Sequence, residues 1–414
     1  MPQYPMASCA MVLDPAKVAS PTARAGLGRV FWWLWAGWLL SSLATFVMPF
    51  LALYLSSRGL RPTEVGRVAA CFGLGSLIAG PVAGALADAL GRRRTLFVAL
   101  LAEAVFASLL AFLEAPLPIA ATVLAFGAAA VGSRPPLRAI VSDVVPRESL
   151  PRAFGWIYWA ENLGTSASLL AGGALAAHGW AAPFLVDAAT TLGFAGVILL
   201  RVPETRPVEE APSGSPVGYG VVLRDRVVVT LLSLVFAVHF VYAQSLIALP
   251  LDMAGNGYGP AAFGATMLVS ALLVVVLQPF SARALRDISL PRALALGAVL
   301  TGLGLGAFGW CVRQREYAGA LILWTLGEIV FYPTASVAVS HLAPTAARGR
   351  YMAAYGLCLS FASVLAPLAG PAVLETLGRR VLWPACLAVA LLAAGGFLAW
   401  GKGRGRTLTP PASP

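Results

Sequence analysis

Six ionisable side chains fall deep inside apolar stretches of this sequence: Glu103, Arg134, Arg138, Glu161, His239 and Glu328. A charge in hydrocarbon costs several kcal/mol, so such groups face a partner or a water-filled cavity and mark a pathway. Trp324, Glu328, Tyr332 and Ser336 recur at intervals of four, which places them on one face of a helix. The residues 198 positions earlier are Phe126, Ala130, Arg134 and Arg138, so a cationic face in one half answers an anionic face in the other. Trp38, Ser41, Ser42 and Thr45, with His239, Tyr242 and Gln244, add aromatic and hydrogen-bonding groups. Arg134 and Glu161 each stand about eight residues, or about 12 Å, inside the same membrane face on successive antiparallel helices. That depth predicts an ion pair, in which each charge offsets part of the other's desolvation. Glu328 has no such basic partner in the pattern. The charge of an isolated carboxylate at that depth is costly, which is what a group that takes up and releases a proton requires. The competing reading is that these groups only hydrogen-bond neighbouring helices.

The elements that must hold these residues are legible from composition. Of 414 residues 59% are hydrophobic and 11% charged, and apolar runs of about 20 residues recur from Trp32 to Trp400. This predicts an all-α membrane protein of twelve transmembrane helices. The domains expected are a tail over 1–29, a first six-helix bundle over 30–200, a linker over 201–226, a second bundle over 227–400 and a tail over 401–414. The linker begins RVPETRPVEEAPSGSP, a composition that cannot pack a core. Twenty of the 29 Lys and Arg residues fall on the side that carries both tails. The excess of positive charge places that side in the cytoplasm of a cell inner membrane. The net charge of +11 is thereby explained by topology, without nucleic acid. The basic stretch ending at Arg29 leads into a full-length span and reads as a signal anchor. The five cysteines show no CxxC spacing and read as small apolar residues, and neither a metal nor a cofactor is expected. The absence of a GxxxxGK[ST] pattern argues against ATP as the energy source.

Pro62, Gly66, Pro81, Pro135, Ser142, Pro146 and Arg152 each recur in kind 198 positions later, which predicts two structurally repeated halves with a site between them. Between spans two and three the chain reads Gly84-Ala-Leu-Ala-Asp88-Ala-Leu-Gly91-Arg92-Arg93-Arg94. Gly84 allows close helix approach, Gly91 a sharp turn, and Asp88 can accept hydrogen bonds from the arginines or a helix N-terminus. The plain alternative is a basic loop kept for topology.

That turn resembles the GxLaDrxGrR signature of the major facilitator superfamily, with Ala89 where the family has a basic residue. PETR at 203–206 is similar to the family's sequence at the end of span six, and SRPPLRAIVSDVVPRESLPRAFG to a stretch of its drug-exporter-like branch. Gly164, Ser168, Gly172 and Gly173 resemble the antiporter motif GxxxGPxxGG, although Ser168 and Leu169 replace its Gly and Pro. The resemblance implies two bundles that work by alternating access, with spans 1, 4, 7 and 10 lining a central cavity. It makes Gly84, Asp88, Gly91, Arg92 and Arg93 a conformational latch. Glu328 with His239 is then the candidate for proton coupling. Trp38, Ser41, Thr45, Arg134, Glu161, Tyr242, Gln244, Trp324 and Tyr332 are candidates for the cavity, while Glu103 on an outer span is assigned a structural role. The function expected is transport of a small amphipathic or lipophilic molecule by a monomer, most readily proton-coupled efflux. Proton-symport uptake of a metabolite and a non-transporting receptor are the alternatives. An enzyme is not expected, since no nucleophile, carboxylate pair or metal cluster gathers near one face.

Overall fold

The computed structural model describes residues 27–205, 220–344 and 347–402, so most of the two tails and of the linker lies outside it. Among the described residues every regular element is a helix. The first half runs α1 (Gly28–Ser42), α2 (Val47–Ser57), α3 (Pro62–Leu90), α4 (Arg92–Leu110), α5 (Pro116–Gly132), α6 (Arg134–Val144), α7 (Leu150–Ala176) and α8 (Ala181–Arg201). After a five-residue α9 (Gly220–Arg224), the second half runs α10 (Arg226–Gly255), α11 (Pro260–Ala284), α12 (Leu290–Ala307), α13 (Gln314–Leu342), α14 (Arg348–Thr376) and α15 (Arg379–Lys402). Nine helical stretches among the described residues are long and apolar enough to cross a bilayer, with α1–α2 and α5–α6 each counting as one. Outside those nine, the long helices α3, α4 and α7 pack against α5, α8 and α1 respectively.

The repeat is visible in the element boundaries. Gly28, Pro62, Arg92, Pro116, Leu150 and Ala181 each open a helix, and so do the residues 198 positions later: Arg226, Pro260, Leu290, Gln314, Arg348 and Arg379. Pro62, Pro116 and Pro260 sit at the first helical position, where a missing N–H costs nothing.

The repeat extends to side-chain chemistry at the end of each half remote from the termini. In the first half the Tyr54 hydroxyl donates to the carbonyls of Leu110 (2.9 Å) and Leu113 (3.0 Å), fastening the exit of α4. In the second half Arg379 donates to the carbonyls of Phe308 and Cys311, both at 2.6 Å, which are the equivalents of Leu110 and Leu113. Asp252, the equivalent of Tyr54, supplies the counter-charge: its Oδ1 lies 3.1 Å from Arg379 Nε, and Tyr317 donates to its Oδ2 at 2.9 Å. One half therefore closes this corner with a phenol and the other with a buried ion pair.

Two spans expected to be continuous are interrupted. The first breaks over 43–46, and Pro49 stands in the first turn of the restarted helix, where proline is tolerated. The new N-terminus is capped by Asp187 of α8, whose Oδ2 accepts the N–H groups of Phe46 (2.9 Å) and Val47 (3.3 Å). A buried helix start needs acceptors for its orphan donors, and a carboxylate also complements the helix dipole. The small residues expected to form a stripe on α7 meet this break: Gly164 packs against Ser42 and Leu43, and Gly172 against Phe46 and Phe50. The fourth span breaks at Ser133, because Pro135 and Pro136 lack the N–H groups that would continue the hydrogen-bond ladder.

The halves meet mainly along two helix pairs, α3 with α14 and α7 with α11, with a further contact between α2 and α10. Gly66 lies against the Pro367 carbonyl, Gly73 against Ser363 and Val364, Gly173 against Pro260 and Ala261, and Gly264 against the Leu169 carbonyl. These approaches lie in the half of each helix remote from the termini. Arg61 pairs there with Glu375 across the halves (3.6 Å), and Glu375 also accepts the Thr63 N–H (2.8 Å). At the terminal end, by contrast, no atom of the described residues comes within 4 Å of where a Cβ would stand at Gly84, so the close approach expected there is not made among them. The molecule is shut at the end remote from the termini.

Candidate functional site

Two cavities flank α7. The first, of about 160 Å³, is lined from α1 and its break by Trp38, Ser41, Ser42 and Thr45, from α6 by Arg134, and from α7 by Glu161 and Thr165. Arg134 Nη2 stands 3.3 Å from Glu161 Oε1, so the two residues set at equal depth by sequence do meet. Their side chains are 50% and 36% exposed, opening into the cavity, so water reaches both. Glu103 of α4, assigned a structural role from its span, lines the same cavity. It does so because α4 packs on α5 and α6 as well as on α8, which turns one of its faces inward.

The second cavity, of about 180 Å³, is lined by Tyr242 and Ser245 of α10, Trp324 and Glu328 of α13, Phe263, Met267 and Ser270 of α11, and Asn162 and Thr165 of α7. Thr165 lines both cavities. Tyr242 donates to Glu328 Oε1 at 3.2 Å. Its ring lies 5.3 Å from Trp324 and 5.1 Å edge-on to Tyr332, so the carboxyl sits in an aromatic wall. Among the described residues no basic side chain forms an ion pair with Glu328.

His239 is set behind this wall rather than at the cavity surface. Its Nδ1 lies 2.5 Å from the Tyr332 hydroxyl and its Nε2 3.2 Å from the Ser363 hydroxyl, while its ring stacks on Tyr242 at 5.6 Å. A neutral imidazole donates from one nitrogen and accepts at the other, so both roles are filled without direct contact to Glu328. Gln244, expected in the cavity, is buried against Gly370 of α14 and donates to its own helix at Phe240 (3.3 Å). It lies a half-turn beyond Tyr242, and a helix face 100° per residue away belongs to a different neighbour.

At the terminal end, Gly91 separates α3 from α4 at φ +101°, a conformation open to glycine. Glu204 of the PETR stretch crowds the position a Cβ would take at Gly91, and its Oε1 accepts the N–H of Arg93 (3.0 Å). The carboxylate thus caps α4 from a distant segment. Arg92 pairs with Asp143 of α6, and Arg93 reaches the last carbonyls of α8, Ile198 (3.3 Å) and Leu199. The described partners of this turn belong to the first half and to the start of the linker, and the Asp88 side chain lies outside the described residues. Gly91→Ala is expected to lower stability by about 1–3 kcal/mol, from backbone strain plus loss of the cap, whereas Glu204→Ala costs about 1 kcal/mol. Thermal unfolding in detergent checks the order. Equal stability of Gly91→Ala and the parent would show that the turn relaxes freely.

Comparison with known proteins now decides the family. The model of the major facilitator superfamily matches residues 33–367. The chain belongs to that superfamily. It is 27% identical over 315 residues to an uncharacterised transporter of the superfamily, YhjO, from Bacillus subtilis (strain 168), covering 76% of this chain and 78% of that one. It is 25% identical over 352 residues to multidrug resistance protein MdtH of Cronobacter sakazakii, covering 82% and 84%. Its fold matches the crystal structure of an auto-inhibited POT-family peptide transporter with a TM-score of 0.79, at 16% identity, over 94% of this chain and 99% of that one. It is a multi-pass membrane transporter, and not an enzyme.

The transporter's site includes residues that the sequence reading passed over. Asn162 and Thr165, one and four positions after Glu161, continue a polar stripe on α7 that spacing alone could have revealed. Asp187 gave no such signal, because its partners are backbone groups 140 residues away. For the Arg134–Glu161 pair, the expected result is loss of transport on neutralising either residue, with stability little changed because each survivor remains hydrated. Exchanging the charges should restore part of the activity. A double-mutant cycle of transport rates without coupling would show that the contact is incidental.

Proposed function

We propose that this transporter exports a small amphipathic or lipophilic molecule in exchange for protons, with Glu328 as the proton-carrying carboxyl. The observation that carries the reading is Glu328 itself: an acid on the cavity wall that accepts a hydrogen bond from Tyr242 and, among the described residues, has no basic partner, beside an aromatic wall of Tyr242, Trp324 and Tyr332. A carboxyl without a permanent counter-ion can exist in both protonation states at modest cost, and a substrate in the cavity competes with the proton for it. The mostly apolar lining, with few convergent polar groups, suits a molecule with a large apolar body. The resemblance to a multidrug resistance protein points the same way. In this reading the chain forms twelve spans in two bundles and acts as a monomer in the cell inner membrane. Both termini lie in the cytoplasm, where the basic residues gather, and the closed end faces outward.

Transport of a lipophilic dye into inverted membrane vesicles tests the proposal. Proton antiport predicts accumulation when the vesicle lumen is acidic and none when the gradient is reversed. Accumulation under the reversed gradient alone would indicate symport uptake. Saturable binding without transport under either gradient would make the chain a receptor.

A further inference from the structure

The face of α7 turned away from Glu161 and Thr165 carries Arg152, Gly155, Trp156 and Trp159, which line a shallow cleft of about 440 Å³ on the outer surface. Their spacing of three, four and seven residues forms one stripe near the terminal end of the helix. Two tryptophans of α1 complete the wall. Trp35 stacks on Trp159 at 6.1 Å and donates from Nε1 to the Trp156 carbonyl at 3.0 Å, and Trp32 lies edge-on to Trp156 at 5.7 Å. Trp32 and Trp159 are each 41% exposed. Arg152 is exposed, and among the described residues it forms no ion pair.

Arg152 recurs as Arg350, but the fold does not demand the tryptophans beside it. The equivalent surface of the second half, 198 positions later, carries Ala354 and Leu357 in place of Trp156 and Trp159, and there the groove is apolar throughout. Tryptophan rings combine an apolar body with an N–H donor, which suits the boundary between acyl chains and headgroups. An unpaired guanidinium beside them offers a planar fork that matches phosphate geometry. We propose that this cleft is a binding site for one anionic phospholipid of the leaflet on the terminal side. Arg152 holds the phosphate, and Trp32, Trp156 and Trp159 hold the glycerol and the first acyl carbons. The site is separate from the transport cavity and does not depend on how transport is coupled.

The tryptophans supply the readout. The full chain is reconstituted in phosphatidylcholine vesicles doped with phosphatidylglycerol or phosphatidylcholine brominated on the acyl chain, and intrinsic fluorescence is recorded. Brominated phosphatidylglycerol is expected to half-quench at about fivefold lower mole fraction, the preference that one arginine near an anionic surface carries. In Arg152→Gln the preference should vanish, while in Trp159→Phe it should persist with a smaller quenched amplitude. Inorganic phosphate at millimolar concentration should leave quenching unchanged. Equal quenching by both lipids, a preference that survives Arg152→Gln, or displacement by free phosphate would each overturn the proposal. Thermal unfolding of the variants confirms that the lipid effect is read on folded protein.

Discussion

Glu328→Gln is expected to lower proton-driven transport by about 100-fold, the scale on which a positioned proton donor or acceptor acts. Glutamine keeps the carbonyl oxygen that accepts from the Tyr242 hydroxyl, so the bond found at 3.2 Å can persist and the aromatic wall stays in place. What is lost is the capacity to shed and regain a proton as the cavity changes sides. Substrate exchange across membranes with equal pH should therefore continue near its normal rate, because the empty return step is not needed. Tyr242→Phe separates bond from charge: it leaves the carboxyl but removes its donor, and should shift the pH dependence while preserving coupling. His239 reaches Glu328 only through Tyr332 and Tyr242, so its replacement should alter the pH profile more mildly. An unchanged rate and pH dependence in Glu328→Gln would refute the coupling role. Glu161 and Glu103, which share the neighbouring cavity, would then be the next carboxyls to test.

The second large effect is structural. Arg379→Leu is expected to destabilise the protein by about 3–5 kcal/mol, since it leaves Asp252 as a charge without its partner in a site where that side chain is 3% exposed. It also removes the guanidinium donor from the carbonyls of Cys311 and Phe308, of which Phe308 keeps the Cys311 N–H (3.2 Å). Tyr54→Phe, the corresponding change in the first half, removes two hydrogen bonds but strands no charge, and should cost about 1–2 kcal/mol. Arg379→Lys should fall between them, because a point charge cannot serve the carboxylate and both carbonyls at once. Denaturation in detergent, followed by tryptophan fluorescence, reads all three. Equal losses in Arg379→Leu and Tyr54→Phe would mean that Asp252 is solvated once its partner is gone.

Much of this architecture is written in patterns that a sequence carries locally. Helix positions follow from runs of apolar residues, and the repeat follows from prolines and glycines that recur where a helix must start or approach a neighbour. The pairing of Arg134 with Glu161 was legible because both depth and charge can be counted along a helix. What escaped detection depends on partners far away in the chain. The break over 43–46 needs Asp187 to cap it, and no local signal connects a carboxylate on α8 to backbone groups on α2. Periodicity also identifies a polar face without saying what it meets, which is why Gln244 was grouped with Tyr242 although Gly370 takes the space before it. Glu103 was judged by the rank of its span, whereas its own face of α4 is what brings it to the cavity.

The closure at the end remote from the termini has a consequence for proton economy. Where Gly66, Gly173 and Gly264 bring their helices against the backbone of a neighbour, little side-chain bulk lies between the elements to swing aside, and the contact behaves like a ground joint rather than a flap. A flap admits partial openings, through which a thread of water could carry protons without cargo. A ground joint is either seated or parted, so the membrane is shielded from leakage until the two halves separate as rigid bodies. Under the proposed proton coupling, that all-or-none seal matters as much as the carboxyl assigned to carry the proton.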